Sequence, residues 1–133
     1  MHVLVIDDDL YELNPHVESL RKAGFSVATC DNVEVGCDML ADKSVEIDVL
    51  VLDVMMPPLG LWTAEETENG GLTGLRVLVR VQELRPLLPV VLLTVRLDML
   101  GHLASLPCVR NVVPKPCMPA HLRAVVNSAA EVQ

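Results

Sequence analysis

The chain carries five short aliphatic runs, "VLVI" at Val3 to Ile6, then "FSVATC", "IDVLVLD", "PVVLLT" and "VRNVV", each parted from the next by a stretch with helical periodicity. Runs this short, rich in branched residues and bounded by turn formers, read as strands buried on both faces. Strands that alternate with helices imply a parallel sheet with right-handed crossovers and helices on both sides. The helical stretches fit this. "LYELNPHVESLRKAG" sets Leu10, Leu13, Val17 and Leu20 on one face and ends at Gly24, with Pro15 best accommodated in the first turn. "VEVGCDMLAD" turns Val33, Cys37, Leu40 and Ala41 inward. "GLRVLVRVQELRP" is amphipathic and stops at Pro86, a weak helix spans about Leu97 to Ser105, and "PAHLRAVVNSAAEV" closes the chain. The order is βαβαβαβαβα, in one domain over residues 1–133.

Composition narrows the core chemistry and the partners. Hydrophobic residues make up 51% of the chain and aromatics only 2%, so Val, Leu, Ile, Ala and Met must fill the interior. A chain of this length buries roughly two thirds of its unfolded surface and folds without staples. Formal net charge is −8, with Lys and Arg scattered singly, so the basic footprint of a nucleic-acid binder is missing. No apolar stretch reaches the ~20 residues of a membrane span, and no signal peptide opens the chain, which argues for a cytoplasmic protein without membrane contact. Cys30, Cys37, Cys108 and Cys117 form no CxxC pair and are expected as free thiols, neither bridged nor zinc-bound. His2, His16, His102 and His121 lie on separate elements, where solvated or capping roles are the default; Met39, Met99 and Met118 read as filler.

In a sheet of this kind ligands bind outside the carboxyl ends of the strands, near the point where strand order reverses. Asp7 and Asp8 end the first run, Asp53 the third and Thr94 the fourth, and Lys115 follows the fifth. Three acids, a hydroxyl and an ammonium therefore converge on one edge. Asp9 beside them reads as the N-cap of the first helix. Carboxylates packed so closely resist ionisation unless a cation joins them, and a hard, oxygen-seeking ion such as Mg2+ fits. With that charge offset, Asp53 is a nucleophile able to attack phosphorus and form an aspartyl phosphate. Lys115 and the metal would stabilise the phosphoryl oxygens, and Thr94 would donate a hydrogen bond to one of them.

The motifs "VLVIDDD", "LVLDVMMP", "VVLLT" and "VVPKP", in that order on the right elements, resemble the receiver domain of two-component response regulators (CheY-like) along essentially the whole chain. The resemblance implies a single-domain flavodoxin-like (βα)5 fold, a five-stranded parallel sheet with helices on both faces. It implies that Asp53 takes a phosphoryl group from the phosphohistidine of a histidine kinase. It also implies that Asp7, Asp8, Asp53 and the backbone carbonyl of Met55 bind Mg2+, that Thr94 is the switch hydroxyl, and that Lys115 contacts the phosphate. Pro116 matches a proline that the family places behind a cis peptide bond. Activity would be limited to self-catalysed phosphotransfer and slow autodephosphorylation, short of a conventional enzyme. The partners implied are the kinase and a downstream protein effector or output domain, with a homodimer through the fourth helix, fifth strand and fifth helix as in many relatives. No output domain follows Gln133, so the expectation is a stand-alone regulator or a receiver excised from a longer chain.

Several positions depart from the family pattern. A glycine expected after the phosphoacceptor is here Leu61, and the nearest equivalent of its aspartate-glycine pair is Thr73 and Gly74. The loop over about 58–73 is longer by about a dozen residues than most compact connections need. It holds Trp62, Glu65, Glu66 and Glu68, and since it leaves the phosphoacceptor strand it is expected near the active face. Two readings stand: a lid or partner-specific docking surface, or a solvated acidic excursion pinned by Trp62; separately, a glutamate of the loop could reach the metal. Val112 replaces the family's switch aromatic and Val95 its usual small residue, where a branched side chain narrows access to the phosphoryl site. Met55 and Arg96 occupy the positions that tune phosphate lifetime and offer no group to orient an attacking water. Two alternatives compete with the phosphoacceptor reading. A pseudo-receiver would act as a phosphorylation-independent interaction or dimerisation module. A haloacid-dehalogenase-type phosphatase would need a general acid where Met55 stands.

Overall fold

A computed structural model describes residues 1–131. The aliphatic runs form β1 (His2–Ile6), β2 (Ser26–Cys30), β3 (Val49–Asp53), β4 (Val90–Thr94) and β5 (Val109–Pro114). Between and after them run α1 (Leu10–Lys22), α2 (Val33–Ala41), α3 (Thr73–Leu84), α4 (Leu100–Ala104) and α5 (Pro119–Glu131), with a 3-10 turn at Leu97–Met99 leading into α4. Val132, expected in the last helix, lies outside the described residues. All strand pairings are parallel, in the order β2-β1-β3-β4-β5. This is the flavodoxin-like arrangement expected, and it reverses strand order between β1 and β3.

Alternation along the central strands divides the core into two layers. Leu4, Ile6, Leu50, Leu52, Val90 and Leu92 pack with α2, α3 and Leu103 of α4. Val3, Val5, Val49, Val51, Val91 and Leu93 pack with Leu13 and Leu20 of α1 and Leu122 and Val126 of α5. β3 and β4 are buried throughout, which is why their sequences read as unbroken aliphatic runs.

Three local expectations need correction. Pro15 sits inside α1, not in its first turn, because Asp9 caps the helix with Oδ1 accepting from Glu12 N at 3.1 Å and so fixes the start at Leu10. Ala41 is exposed; the inward face of α2 is Val33, Gly36, Cys37 and Leu40, and Ile6 presses against the bare Cα of Gly36. Of the histidines, His16 is buried on α1 instead of solvated, since its ring faces the β5–α5 connection. Met118 is well exposed, while Met39 and Met99 pack on the first layer. The cysteines are free, with Cys30 and Cys37 buried. Among the described residues no helix is long and apolar enough to cross a membrane.

The N-terminal edge of the sheet is held by Arg85, which caps α3. Its guanidinium donates to the carbonyls of Leu40 (2.9 Å), Asp42 (2.8 Å) and Val45 (2.9 Å), satisfying acceptors at the end of α2 and in the turn that follows it.

Candidate functional site

Strand ends place the acids. β1 delivers Asp7 and Asp8, and β3, paired to β1 in register through Leu52 and Ile6, delivers Asp53 beside them. One carboxylate oxygen from each of Asp7, Asp8 and Asp53 can be chosen so that all three lie within 4.8 Å of one another. The backbone hydrogen bond from Lys115 N to Thr94 O, 2.8 Å, brings the lysine to the same edge, and the Lys115–Pro116 bond is cis. Lys115 Nζ lies 2.8 Å from Asp7 Oδ2 and 3.5 Å from Asp53 Oδ2.

The two buried carboxylates are satisfied unequally. Asp7 accepts from Asp9 N at 2.8 Å on one oxygen and from Lys115 on the other. Asp53, 4% exposed, accepts at long range from Met55 N at 3.3 Å and from Lys115 at 3.5 Å, and its carboxyl also meets that of Asp8. Burial first, then the charge of Asp7, pushes the Asp53 carboxyl up to about 7, against the pull of Lys115. Burial and Asp7 raise Asp8 as well. Burial opposes the charge on Lys115, yet the hydrogen bond to Asp7 and the field of Asp53 outweigh it and hold the ammonium above its usual value. Such a donor set, all oxygen and short of positive charge, suits a hard divalent cation.

Thr94 is fully buried, and its hydroxyl oxygen accepts from Arg96 N at 2.8 Å. Val95 beside it is 54% exposed, and Met55 is 38% exposed at the mouth of the site. Val112 is half-buried against the layer formed by α2, α3 and α4, opposite Leu92.

The long β3–α3 loop is a built structure. Its neck closes where Met56 N donates to Gly70 O at 3.0 Å and the Thr73 hydroxyl donates to Met56 O. Within it Thr63 and Glu66 form a reciprocal capping box, Glu66 N to Thr63 Oγ1 at 3.0 Å and Thr63 N to Glu66 Oε1 at 2.9 Å. Thr67 is fully buried and donates to Thr63 O at 3.1 Å. Part of this loop does lie at the active face: Pro57, Ala64, Asn69 and Gly70 line a groove of about 490 Å³ whose other wall includes Asp8 and Met55. Trp62 does not; it packs on the core beneath Arg80 of α3, whose guanidinium carbon is 5.1 Å from the ring centroid. Glu66 and Glu68 turn to Thr63 and Arg96 instead of the acid cluster. The Thr63–Glu66 spacing is a visible sequence signature that marks this turn, whereas the burial of Thr67 and His16 has none.

The receiver-domain family's sequence model, described as "Response regulator receiver domain", matches residues 3–127. The curated protein "Two-component response regulator ORR26" of Oryza sativa subsp. japonica is 36% identical over 59 residues, 44% of this chain, and the chain spans about 10% of its length. A CheY-like receiver domain protein from Methanospirillum hungatei JF-1 is similar in fold, with a TM-score of 0.77 and 18% identity over 98% of this chain and 93% of that one. Response regulator protein TrrA from Thermotoga maritima, in complex with Mg(2+)-BeF, gives 0.74 and 23% identity over 96% and 97% of the two chains. With its strand order, its strand-end acids and this match over nearly the whole length, the chain belongs to the response regulator receiver domain family.

Proposed function

We propose that this receiver domain is a phosphorylation-dependent switch in which Asp53 accepts a phosphoryl group from the phosphohistidine of a histidine kinase. The observation that carries the reading is the state of Asp53: a buried carboxylate that ends the third strand, 3.5 Å from an ammonium and grouped with Asp7 and Asp8. An Asp53 carboxylate oxygen attacks phosphorus as the P–N bond of the donor breaks; the imidazole leaves with the bonding pair and takes up a proton. Lys115 offsets charge on the phosphoryl oxygens, and Thr94 contributes its hydroxyl proton to one of them. Asp7, Asp8, Asp53 and the Met55 carbonyl are the groups that would hold Mg2+, which supplies the positive charge that lets three clustered carboxylates ionise together. A downstream effector or output domain reads the result through protein contacts, in the cytoplasm.

The test is calorimetric titration of the protein with beryllofluoride, a mimic of the acyl phosphate, with and without Mg2+, beside Asp53→Asn. Mg2+-dependent binding that the variant loses is the expected result. Absence of binding in the parent protein would replace this reading with that of a pseudo-receiver acting through its surface alone.

A further inference from the structure

Val54, Met55 and Met56 follow β3, and their backbone carbonyls are treated unequally. Val54 O accepts from Gly74 N at 2.8 Å, and Met56 O accepts from the Thr73 hydroxyl. Among the described residues no hydrogen bond ends on the Met55 carbonyl between them. The sequence arranges this. The donors that would close a tight turn onto that oxygen belong two and three residues on, at Pro57 and Pro58, and proline has no N–H.

The direction of the Met55 carbonyl is fixed all the same. It shares a planar trans peptide with the Met56 N–H, so the two groups point opposite ways. Met56 N donates to Gly70 O at 3.0 Å, which turns the Met55 carbonyl away from the returning loop. On its other side Met55 is tied to the acid cluster, its N–H reaching Asp53 Oδ1 at 3.3 Å. Strained backbone delivers Gly70 to this place: Glu68, Asn69 and Gly70 take consecutive left-handed φ values of 49°, 58° and 86°, a conformation that costs the two residues with a β-carbon. The buried Thr67 hydroxyl oxygen then accepts from Gly70 N at 3.2 Å and holds it there.

We infer that Gly70 and Thr73, at the neck of the lengthened loop, are positioning residues for the divalent cation: by gripping the N–H and the C=O of Met56 they aim the Met55 carbonyl as one of its ligands. The inference rests on the proposed Mg2+ set of Asp7, Asp8, Asp53 and Met55. Mg2+ demands near-ideal octahedral geometry, whereas Ca2+ accepts flexible shells of oxygen, so a loosened carbonyl penalises the smaller ion more. The neck therefore governs ion selectivity as well as affinity.

The measurement is calorimetric affinity for Mg2+ and for Ca2+ in the parent protein, Thr73→Val, Thr73→Ser and Gly70→Ala. The first variant removes the hydroxyl and the second keeps it; in the third a β-carbon would stand 3.0 Å from Met56 O at a left-handed φ. Thr73→Val and Gly70→Ala are expected to lose about ten-fold in Mg2+ affinity, the low end of what a ligand-orienting group contributes, and less than about three-fold in Ca2+ affinity. Thr73→Ser should match the parent. In the parent itself Mg2+ should slow hydrogen exchange at the Met56 N–H, because a cation on the Met55 carbonyl and the bond to Gly70 hold one and the same peptide plane. Equal losses for both ions, a loss that Thr73→Ser shares, parent-like Mg2+ affinity in Thr73→Val, or Met56 exchange indifferent to Mg2+ would each overturn the inference. Absence of Mg2+ binding in the parent would instead overturn the ligand set on which it rests.

Discussion

Gly74 lies so close to β3 that a β-carbon added to it would meet the Asp53 carbonyl oxygen and stand 2.7 Å from the Cα of Val54. The first turn of α3 is thus pressed onto the backbone that carries Asp53, and Gly74 N donates to Val54 O at 2.8 Å. Since the obstructing atoms are backbone, they cannot rotate away. Gly74→Ala is expected to lower stability by about 1–3 kcal/mol and to weaken Mg2+-beryllofluoride binding by displacing Asp53. Chemical denaturation and calorimetry on the same variant check both; wild-type values would refute the close contact.

The raised carboxyl of Asp53 fixes the sign of a pH effect. Its folded value is about 7, above the ordinary value of about 4 in the unfolded chain. Between those two values the folded protein holds a proton that the unfolded chain releases, so the stability contributed by this group is lost as pH rises from about 4 through about 7. In chelator, the thermal midpoint of the parent protein should fall relative to Asp53→Asn across that window, and Mg2+ added at pH 8 should narrow the gap by binding only the folded state. A difference independent of pH would mean that Asp53 is ionised throughout.

His16 ties α1 to the connection that carries Lys115. Its Nε2 and the Cys117 carbonyl are 2.6 Å apart, which requires the proton on Nε2, and Nδ1 is buried with no partner. His16→Leu leaves that carbonyl without its donor and should cost about 1–2 kcal/mol, with a matching weakening of beryllofluoride binding as Lys115 loosens. His16→Gln, which retains a donor, should recover part of both. Stability lost with binding unchanged would confine His16 to packing.

Arg85 supplies the contrast, because it works at the opposite edge of the sheet. Lysine cannot reproduce a planar fork that serves several carbonyls at once, so Arg85→Lys should reduce stability by about 1–3 kcal/mol with beryllofluoride affinity unchanged. A change in affinity would show that the end of α2 communicates with the acid cluster.

These residues also mark what the sequence made legible. Strands β1, β3 and β4 were readable because burial on both faces leaves an unbroken aliphatic run, and Asp7, Asp8, Asp53, Thr94 and Lys115 because a run that stops in a polar residue marks a strand end. The Asp9 cap was legible and fixes the start of α1 at Leu10, which is incompatible with Pro15 in the first turn; the helix carries the proline in its interior instead. His16 and Arg85 act across 101 and up to 46 positions of sequence, and such pairings leave no local pattern. The loop was expected near the active face and part of it lies there, while Trp62 serves as the pin that one of the two readings gave it, set by the apolar layer and the cation of Arg80.

If Asp53 is phosphorylated as proposed, the lifetime of its acyl phosphate follows from what borders it. Met55 presents an apolar side chain at the mouth, Val95 adds another aliphatic chain next to Thr94 in sequence, and the guanidinium of Arg96 is engaged by Glu68 and Asp98. Hydrolysis needs a water aligned behind phosphorus, and neither thioether nor branched aliphatic can hold one by a hydrogen bond. The parent protein should therefore keep its phosphoryl group long after donor is removed. Met55→Glu adds a carboxylate acceptor beside the site and should shorten the lifetime by about ten-fold or more, at the low end of what a positioned base contributes. Decay of phosphorylated protein after donor removal, followed by intact mass, measures both rates. Rapid decay in the parent would mean that a group other than Met55 orients the water.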